Sequence, residues 1–305
     1  MEKIALLFPG QGSQFVGMGK ILANESSEAK AIFDQAEALA PGLRSLCFEG
    51  PEETLRLTVN AQPAIFTVSM ASYEAFKKLG HSIAFAAGHS VGEYGALAAA
   101  GVLPFKEAFL LVKKRGELMY QEGTKRPGTM AAILGLDSKT LLSICAEVTR
   151  DKIVEVANLN SPTQAVISGD PEAVRQAGDL AKARGAKRVL PLPVSGAFHS
   201  KLMEEAATKL GDELDRVPFK NAQFPVVANL TGRPSIEGSE IRELLKKQIR
   251  GQVLWEESIR NILSQGVSTF VEMEPGTILS GLVRSIDKNA KTLKLEELLG
   301  LARSL

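Results

Sequence analysis

Apolar and polar positions follow two rhythms along this chain, and each rhythm specifies a kind of element. Ile4-Ala5-Leu6-Leu7-Phe8 is an unbroken apolar run stopped by Pro9-Gly10, which predicts a short strand buried on both faces of a largely parallel sheet. A second run, Ile83 to Ala87, ends at Gly88 and leads into the Ala-rich stretch Tyr94 to Ala100, predicting strand, tight turn and helix in succession. Val267 to Glu272 predicts a later strand of the same kind. Segments 60–79, 104–120 and 239–250 instead carry apolar residues at helical spacing,. Strands separated by helices define an α/β sheet.

Residues 126–197 depart from that alternation. They predict a strand (129–134), a helix (138–148), two strands in succession (153–158 and 164–168), a helix (171–184) and a last strand (187–193). That order is the β-α-β-β-α-β unit of ferredoxin-like folds. It begins at the turn-rich stretch Gly123-Thr-Lys-Arg-Pro-Gly128,. The expected organisation is therefore a larger α/β domain formed by residues 1–125 and 198–305, interrupted by a small ferredoxin-like subdomain at 126–197.

Composition narrows the functional classes. A chain of 305 residues with 45% hydrophobic and 23% charged content is an ordinary globular protein able to bury a sizeable core,. The balance of 36 Lys and Arg against 35 Asp and Glu gives no global reason to expect nucleic-acid binding,. Cys47 and Cys145 lie in apolar contexts without a CxxC or Cys/His cluster, so neither a disulfide framework nor a metal site is expected, and the residues fit a reducing, cytoplasmic setting. The apolar run at Ile4 to Phe8 is too short for a signal peptide, and no stretch reaches the roughly 18 apolar residues of a membrane span,. A monomer is expected.

The chemistry concentrates at Gly88-His89-Ser90-Val91-Gly92. This is G-x-S-x-G between a predicted strand and helix, the context in which a cramped turn exposes a serine hydroxyl as a nucleophile. The competing reading is a structural serine capping the helix. A nucleophilic serine needs a base, and the chain offers only His81, His89 and His199,. The elbow would point His89 away from its neighbour. His199 follows a predicted strand in the small-residue loop Ser195-Gly-Ala-Phe-His-Ser200 and leads into a helix, which makes it the candidate base,. An acceptor must orient the second ring nitrogen. Gln248 shares the apolar face of helix 239–250 just before Gly251, where terminal carbonyls lack intrahelical partners,. One such carbonyl could orient His199 without a full negative charge, although Gln248 taken alone also reads as a partly buried helix residue.

An oxyanion hole requires backbone donors, and Val91 N–H supplies one. Gln11, in Gly10-Gln-Gly-Ser-Gln14 directly after the first strand, is a source of another. The same glycines begin a dinucleotide fingerprint, but position 15 is Phe and no acidic residue closes a second strand, so that reading fails,. In segment 104–120, Phe105, Ala108, Val112, Arg115 and Met119 form a single stripe. A guanidinium on a core-facing stripe needs an anionic partner. That partner is either a substrate carboxylate, which the planar fork matches, or a buried Asp or Glu.

Taken together, these motifs resemble the malonyl-CoA:acyl carrier protein transacylase family, the acyltransferases of type II fatty acid synthesis and of polyketide synthases. The resemblance spans the chain, through Phe8-Pro-Gly-Gln-Gly-Ser-Gln14, Asn60-Ala-Gln-Pro63, Gly88-His-Ser-Val-Gly-Glu-Tyr94, Arg115-Gly116, Ala157-Asn-Leu-Asn160, Val194-Ser-Gly-Ala-Phe-His-Ser200, Trp255-Glu-Glu-Ser258 and Glu274-Pro-Gly276. It implies an α/β-hydrolase-like large domain with a ferredoxin-like insertion. It also implies that Ser90 carries a malonyl ester, His199 acts as base and then acid, and the Gln248 carbonyl orients it. Arg115 would hold the malonyl carboxylate, and Gln11 and Val91 would form the oxyanion hole. Asn158 and Asn160 would line the cleft, and Phe198 would crowd out an α-methyl group. Malonyl-CoA and acyl carrier protein are the implied partners, with no metal or redox cofactor. An acidic carrier implies a local basic surface, for which Lys182, Arg184, Lys187, Arg188, Arg284 and Lys288 are candidates. Three departures from the family pattern are Val91 for the commoner Leu, Gly251-Gln252 for Ser-Pro, and Ala228-Asn-Leu-Thr231 for a Ser-Asn-Val segment. Alternatives on the same scaffold are a stand-alone transferase of a polyketide pathway and a serine thioesterase, against which Arg115 argues.

Overall fold

The computed structural model describes residues 3–194 and 196–300. Ser195 of the loop before His199, and residues 301–305 of the outer domain segment, lie outside the described residues. Among the described residues ten strands form two sheets: β1 (Lys3–Phe8), β2 (Ser82–Gly88), β3 (Thr129–Leu134), β4 (Val154–Ser161), β5 (Gln164–Gly169), β6 (Arg188–Pro191), β7 (Val226–Val227), β8 (Pro234–Ser235), β9 (Thr269–Glu272) and β10 (Lys291–Lys294).

The larger sheet has the order β10-β9-β1-β2-β7-β8 and is parallel except at β8. The apolar run Ile4–Phe8 is explained by its central position. Ile4, Leu6 and Phe8 enter one core layer, while Ala5 and Leu7 enter the layer on the opposite face with Phe270 and Trp255. Because all the long strands point the same way, their carboxyl ends open at one edge, where ligands of such sheets bind.

The second sheet, β4-β5-β3-β6, is antiparallel and forms a separate subdomain. Helices Ser138–Val148 and Pro171–Ala183 cover one of its faces, packing Leu141, Ile144, Val174 and Ala177 against Ile133, Val156 and Ile167. On the other face, Met130, Ala132 and Val166 look into a cavity shared with the large sheet. Strand β4 is longer than the 153–158 expected, reaching Ser161. Its extension is stitched to the large domain by Leu159 N–H to Val253 O at 2.9 Å and Val253 N–H to Ala157 O at 2.8 Å.

Two further boundaries differ from expectation. Strand β6 is confined to Arg188–Pro191, and the helix expected at 104–120 runs from Phe105 to Lys125. The turn-prone Gly123-Thr124-Lys125 is absorbed into that helix because Gly123 is buried there. Arg126, preceding Pro127, adopts φ −128° and ψ 93° and ends it, as the steric demand of a following proline requires.

Between β2 and helix Gly92–Ala99 the chain turns through Ser90 at φ 53°. The turn is tight enough that a Cβ on Gly88 would lie 2.0 Å from the Gly92 carbonyl, and one on Gly92 would lie 2.1 Å from the Phe8 carbonyl oxygen. These obstacles are backbone atoms, of the first helical residue and of the central strand β1, and cannot swing aside. Gly92→Ala is accordingly expected to lower the unfolding free energy by about 3 kcal/mol, read as a reduced midpoint in urea. An unchanged midpoint would show that the elbow is looser than described.

Candidate active site

The elbow raises Ser90 to the carboxyl edge of the sheet, and the loop after β6 brings His199 to meet it. Ser90 Oγ and His199 Nε2 are 2.7 Å apart. His199 is 4% exposed and adopts φ 57°, a conformation non-glycine residues rarely hold,. Its backbone is fixed by donation to Ile249 O at 3.0 Å. Its Nδ1 lies 3.0 Å from two carbonyl oxygens, those of Gln248 and Gly251. Carbonyls only accept, so Nδ1 carries the proton and Nε2 presents its lone pair to the serine hydroxyl.

The Gln248 carbonyl is where the end of helix Gly238–Gln248 was expected to place it. The second acceptor, the Gly251 carbonyl, is an addition to that expectation. Burial, with the Arg115 charge and His89 adding to it, pushes His199 down to about 3. A depressed pKa means the base form persists as pH falls. Reaction of Ser90 with a neutral fluorophosphonate probe is therefore expected to stay within about twofold between pH 8 and 5.5, where a histidine of ordinary pKa would lose about tenfold.

Arg115 is fully buried on its helix stripe beside Val112 and Met119. Its Nη1 donates to Gln62 Oε1 at 2.8 Å, and its Nη2 donates to Ser90 Oγ and to Gln248 Oε1, each at 3.0 Å. The guanidinium lies 5.9 Å over the Tyr94 ring, and its buried Nε has no acceptor among the described residues. Its direct partners are thus neutral. Burial lowers it to about 10, so it stays cationic at neutral pH.

Gln62 sits on helix Thr58–Lys77 and is oriented by Gln11 Oε1 and Met119 sulfur, at 3.5 and 3.3 Å from its Nε2. Gln11 in turn donates from Nε2 to Thr58 Oγ1 at 3.1 Å. Neither Gln11 N–H nor Val91 N–H is donated to an acceptor among the described residues.

A cavity of about 450 Å³ opens in front of the serine, lined by Gln11, Asn158, Asn160, Phe198 and His199 among others. Asn160 Oδ1 meets His89 Nε2 at 2.9 Å, and the His89 ring tilts against Trp255 at 5.4 Å. His89 is therefore turned from Ser90 to the subdomain, as the elbow geometry implied. The arrangement presents a serine hydroxyl with a neutral base, free backbone donors and a buried cation whose direct partners are all neutral, which is suited to acyl transfer from a substrate bearing an anionic group.

The chain matches the acyl transferase domain family over residues 5–304. It is 49% identical to the malonyl CoA-acyl carrier protein transacylase of Bacillus subtilis, over 97% of this chain and 94% of that protein. The solved structure of the Coxiella burnetii malonyl CoA-acyl carrier protein transacylase superimposes with a TM-score of 0.94 at 39% identity, covering 98% of this chain and 96% of that one. A malonyl-transacylase solved in complex with a type II PKS acyl-carrier protein gives a TM-score of 0.93 at 40% identity, with 96% of each chain covered. The fold and the serine site thus define an acyltransferase. The chain belongs to the acyl transferase family and, within it, to the malonyl CoA-acyl carrier protein transacylases.

Proposed function

We propose that this chain moves a malonyl group from malonyl-CoA to the phosphopantetheine thiol of an acyl carrier protein, in fatty acid synthesis, through an ester on Ser90. Arg115 carries this reading. A buried guanidinium 3.0 Å from the serine hydroxyl, with no carboxylate on it, puts an anion-binding group beside the nucleophile, where the short malonyl chain needs it,.

In the first half-reaction Ser90 Oγ attacks the thioester carbon while its proton passes to His199 Nε2. The carbon–sulfur bond then breaks, and CoA leaves as the thiol with that proton. In the second, the carrier's thiol gives its proton to His199 and its sulfur attacks the ester carbon, and Ser90 Oγ regains the proton as it leaves. Gln11 and Val91 N–H groups receive the oxyanion in both steps. The carbonyls of Gln248 and Gly251 hold the imidazole without a full negative charge. Phe198, on the cavity wall, limits bulk at the α-carbon, and Asn158 and Asn160 line the same cavity. The exchange is redox-neutral and calls for no cofactor.

The exposed cations Lys182, Arg184, Lys187 and Arg188 on the subdomain, with Arg284 and Lys288 beside helix Ile278–Ile286, offer an acidic carrier a basic rim. Arg184 is engaged with Glu147 and Arg284 with Thr292. Two buried thiols, both raised to about 12 by burial, fit a cytoplasmic setting. No helix among the described residues is long and apolar enough to cross a membrane.

The test is intact mass after incubation with malonyl-CoA and, separately, acetyl-CoA, followed by added carrier protein. A malonyl adduct that maps to Ser90 and discharges onto the carrier is expected. Preferential acetyl loading that is lost to water would overturn the reading.

A further inference from the structure

Glu93 stands in the elbow motif three residues past the nucleophile and is 2% exposed. A single oxygen of its carboxylate, Oε2, accepts from Gln248 Nε2 at 2.8 Å and from Asn229 N–H at 3.2 Å. The side chains of these same two residues grip the strained serine. Asn229 Oδ1 accepts Ser90 N–H at 2.7 Å, and Gln248 Nε2 also donates to Ser90 O at 2.8 Å. A carboxylate can only accept, so Glu93 fixes which end of the Gln248 amide faces it. The amide oxygen is thereby turned to Arg115. One amide group thus separates a buried cation from a buried carboxylate. The other ionisable groups around the pair are Tyr94, against the guanidinium and raised by burial, and the neutral imidazoles of His199 and His89.

We propose that Glu93 is the counter-charge of Arg115 while the site is empty, and that a substrate carboxylate arriving on Arg115 makes Glu93 take up a proton. Malonyl loading is then coupled to proton uptake, and Glu93 acts as a positioning residue whose charge sets the malonyl affinity. The inference rests on the reading of Arg115 as the partner of the malonyl carboxylate. Its physical basis is that two carboxylates sharing one desolvated guanidinium cannot both stay ionised at low cost. Burial already raises Glu93 to about 7, against the opposing pull of Gln248, Asn229 and Arg115. Below that value the proton is in place before substrate arrives. Above it the proton must come from solvent, and malonyl affinity falls by up to about tenfold per pH unit.

Glu93→Gln separates charge from geometry, because both hydrogen bonds fall on one oxygen that the amide can reproduce. The experiment is KM for Ser90 loading from malonyl-CoA and from acetyl-CoA, between pH 6 and 8.5, in wild type, Glu93→Gln and Glu93→Asp. For wild type the malonyl KM is expected to rise about tenfold across pH 7 to 8.5, while the acetyl KM, with the same CoA phosphates, stays within about twofold. Glu93→Gln is expected to hold the malonyl KM flat near the wild-type value at pH 6. Glu93→Asp keeps a titrating carboxylate and is expected to retain the rise. A flat malonyl KM in wild type, or a rise that survives in Glu93→Gln, overturns the proposal. Should Glu93→Gln fail to fold, the wild-type and Glu93→Asp profiles still decide. Failure of the underlying reading looks different, because malonyl and acetyl would then load equally well at every pH.

Discussion

His199→Ala is expected to slow malonylation of Ser90 by about 10⁴-fold or more, and Ser90→Ala to abolish the covalent adduct altogether. Among the described residues no other group can take the proton of the hydroxyl. The imidazole is, among the described residues, the only neutral nitrogen base on Ser90 Oγ, and the other polar contact to that oxygen is a guanidinium that can only donate. Arg115 also disfavours a positive charge on the imidazole, so once the base is gone nothing nearby can replace it. Stopped-flow release of CoA would measure the loss. A His199→Ala enzyme within tenfold of wild type would mean that the proton leaves by another path. The substitution also places alanine at φ 57°, so the folded fraction must be checked by circular dichroism,.

Arg115→Ala is expected to lower kcat/KM for malonyl-CoA by about 10²- to 10³-fold, the range for removing one partner of a buried charge pair. Acetyl-CoA, which has no carboxylate to be held, should lose less than about tenfold. The split between substrates distinguishes a lost substrate contact from general damage. Damage is also expected, because the substitution leaves the amide oxygens of Gln62 and Gln248 without their donor and Glu93 without its cation. Stability should fall with the charge, and the drop should be greatest above pH 7, where Glu93 is ionised in the folded state and unbalanced. Equal losses for the two substrates would assign Arg115 a purely structural place.

Much of this site was legible in the chain because it rests on local patterns. The strand before Gly88 and the helix after it specify the elbow from adjacent residues, and the stripe through Val112, Arg115 and Met119 places a cation on a core-facing side by spacing alone. A helix end made a carbonyl near Gln248 one open reading for the acceptor, and the family resemblance singled it out. What stayed hidden is set by contacts between distant segments. Gln62 lies on a helix buried almost all round, so its apolar periodicity marks no face and gives the glutamine no distinction. Asn229 lies beside a two-residue strand, too short for any period to register, and Glu93 reads as an ordinary acidic first-turn residue. Gly251 contributes only a backbone oxygen, which no side-chain pattern can announce. The short helices between Lys20 and Arg56 escaped for the same reason, at five to seven residues each apart from Ser27–Leu39.

The reactive pair also has a history along the chain. Ser90 and His199 are 109 positions apart, and the carbonyl of Gln248 comes 49 positions later still. The antiparallel subdomain lies between the first two, and folding it shortens the loop whose closure returns the histidine to the serine,. During synthesis the elbow residues emerge long before the base, and the base before the groups that orient it and grip the serine. A nascent or partly unfolded chain therefore exposes a serine with no power to attack, and the cell's pool of activated thioesters is safe from it until most of the protein has been made.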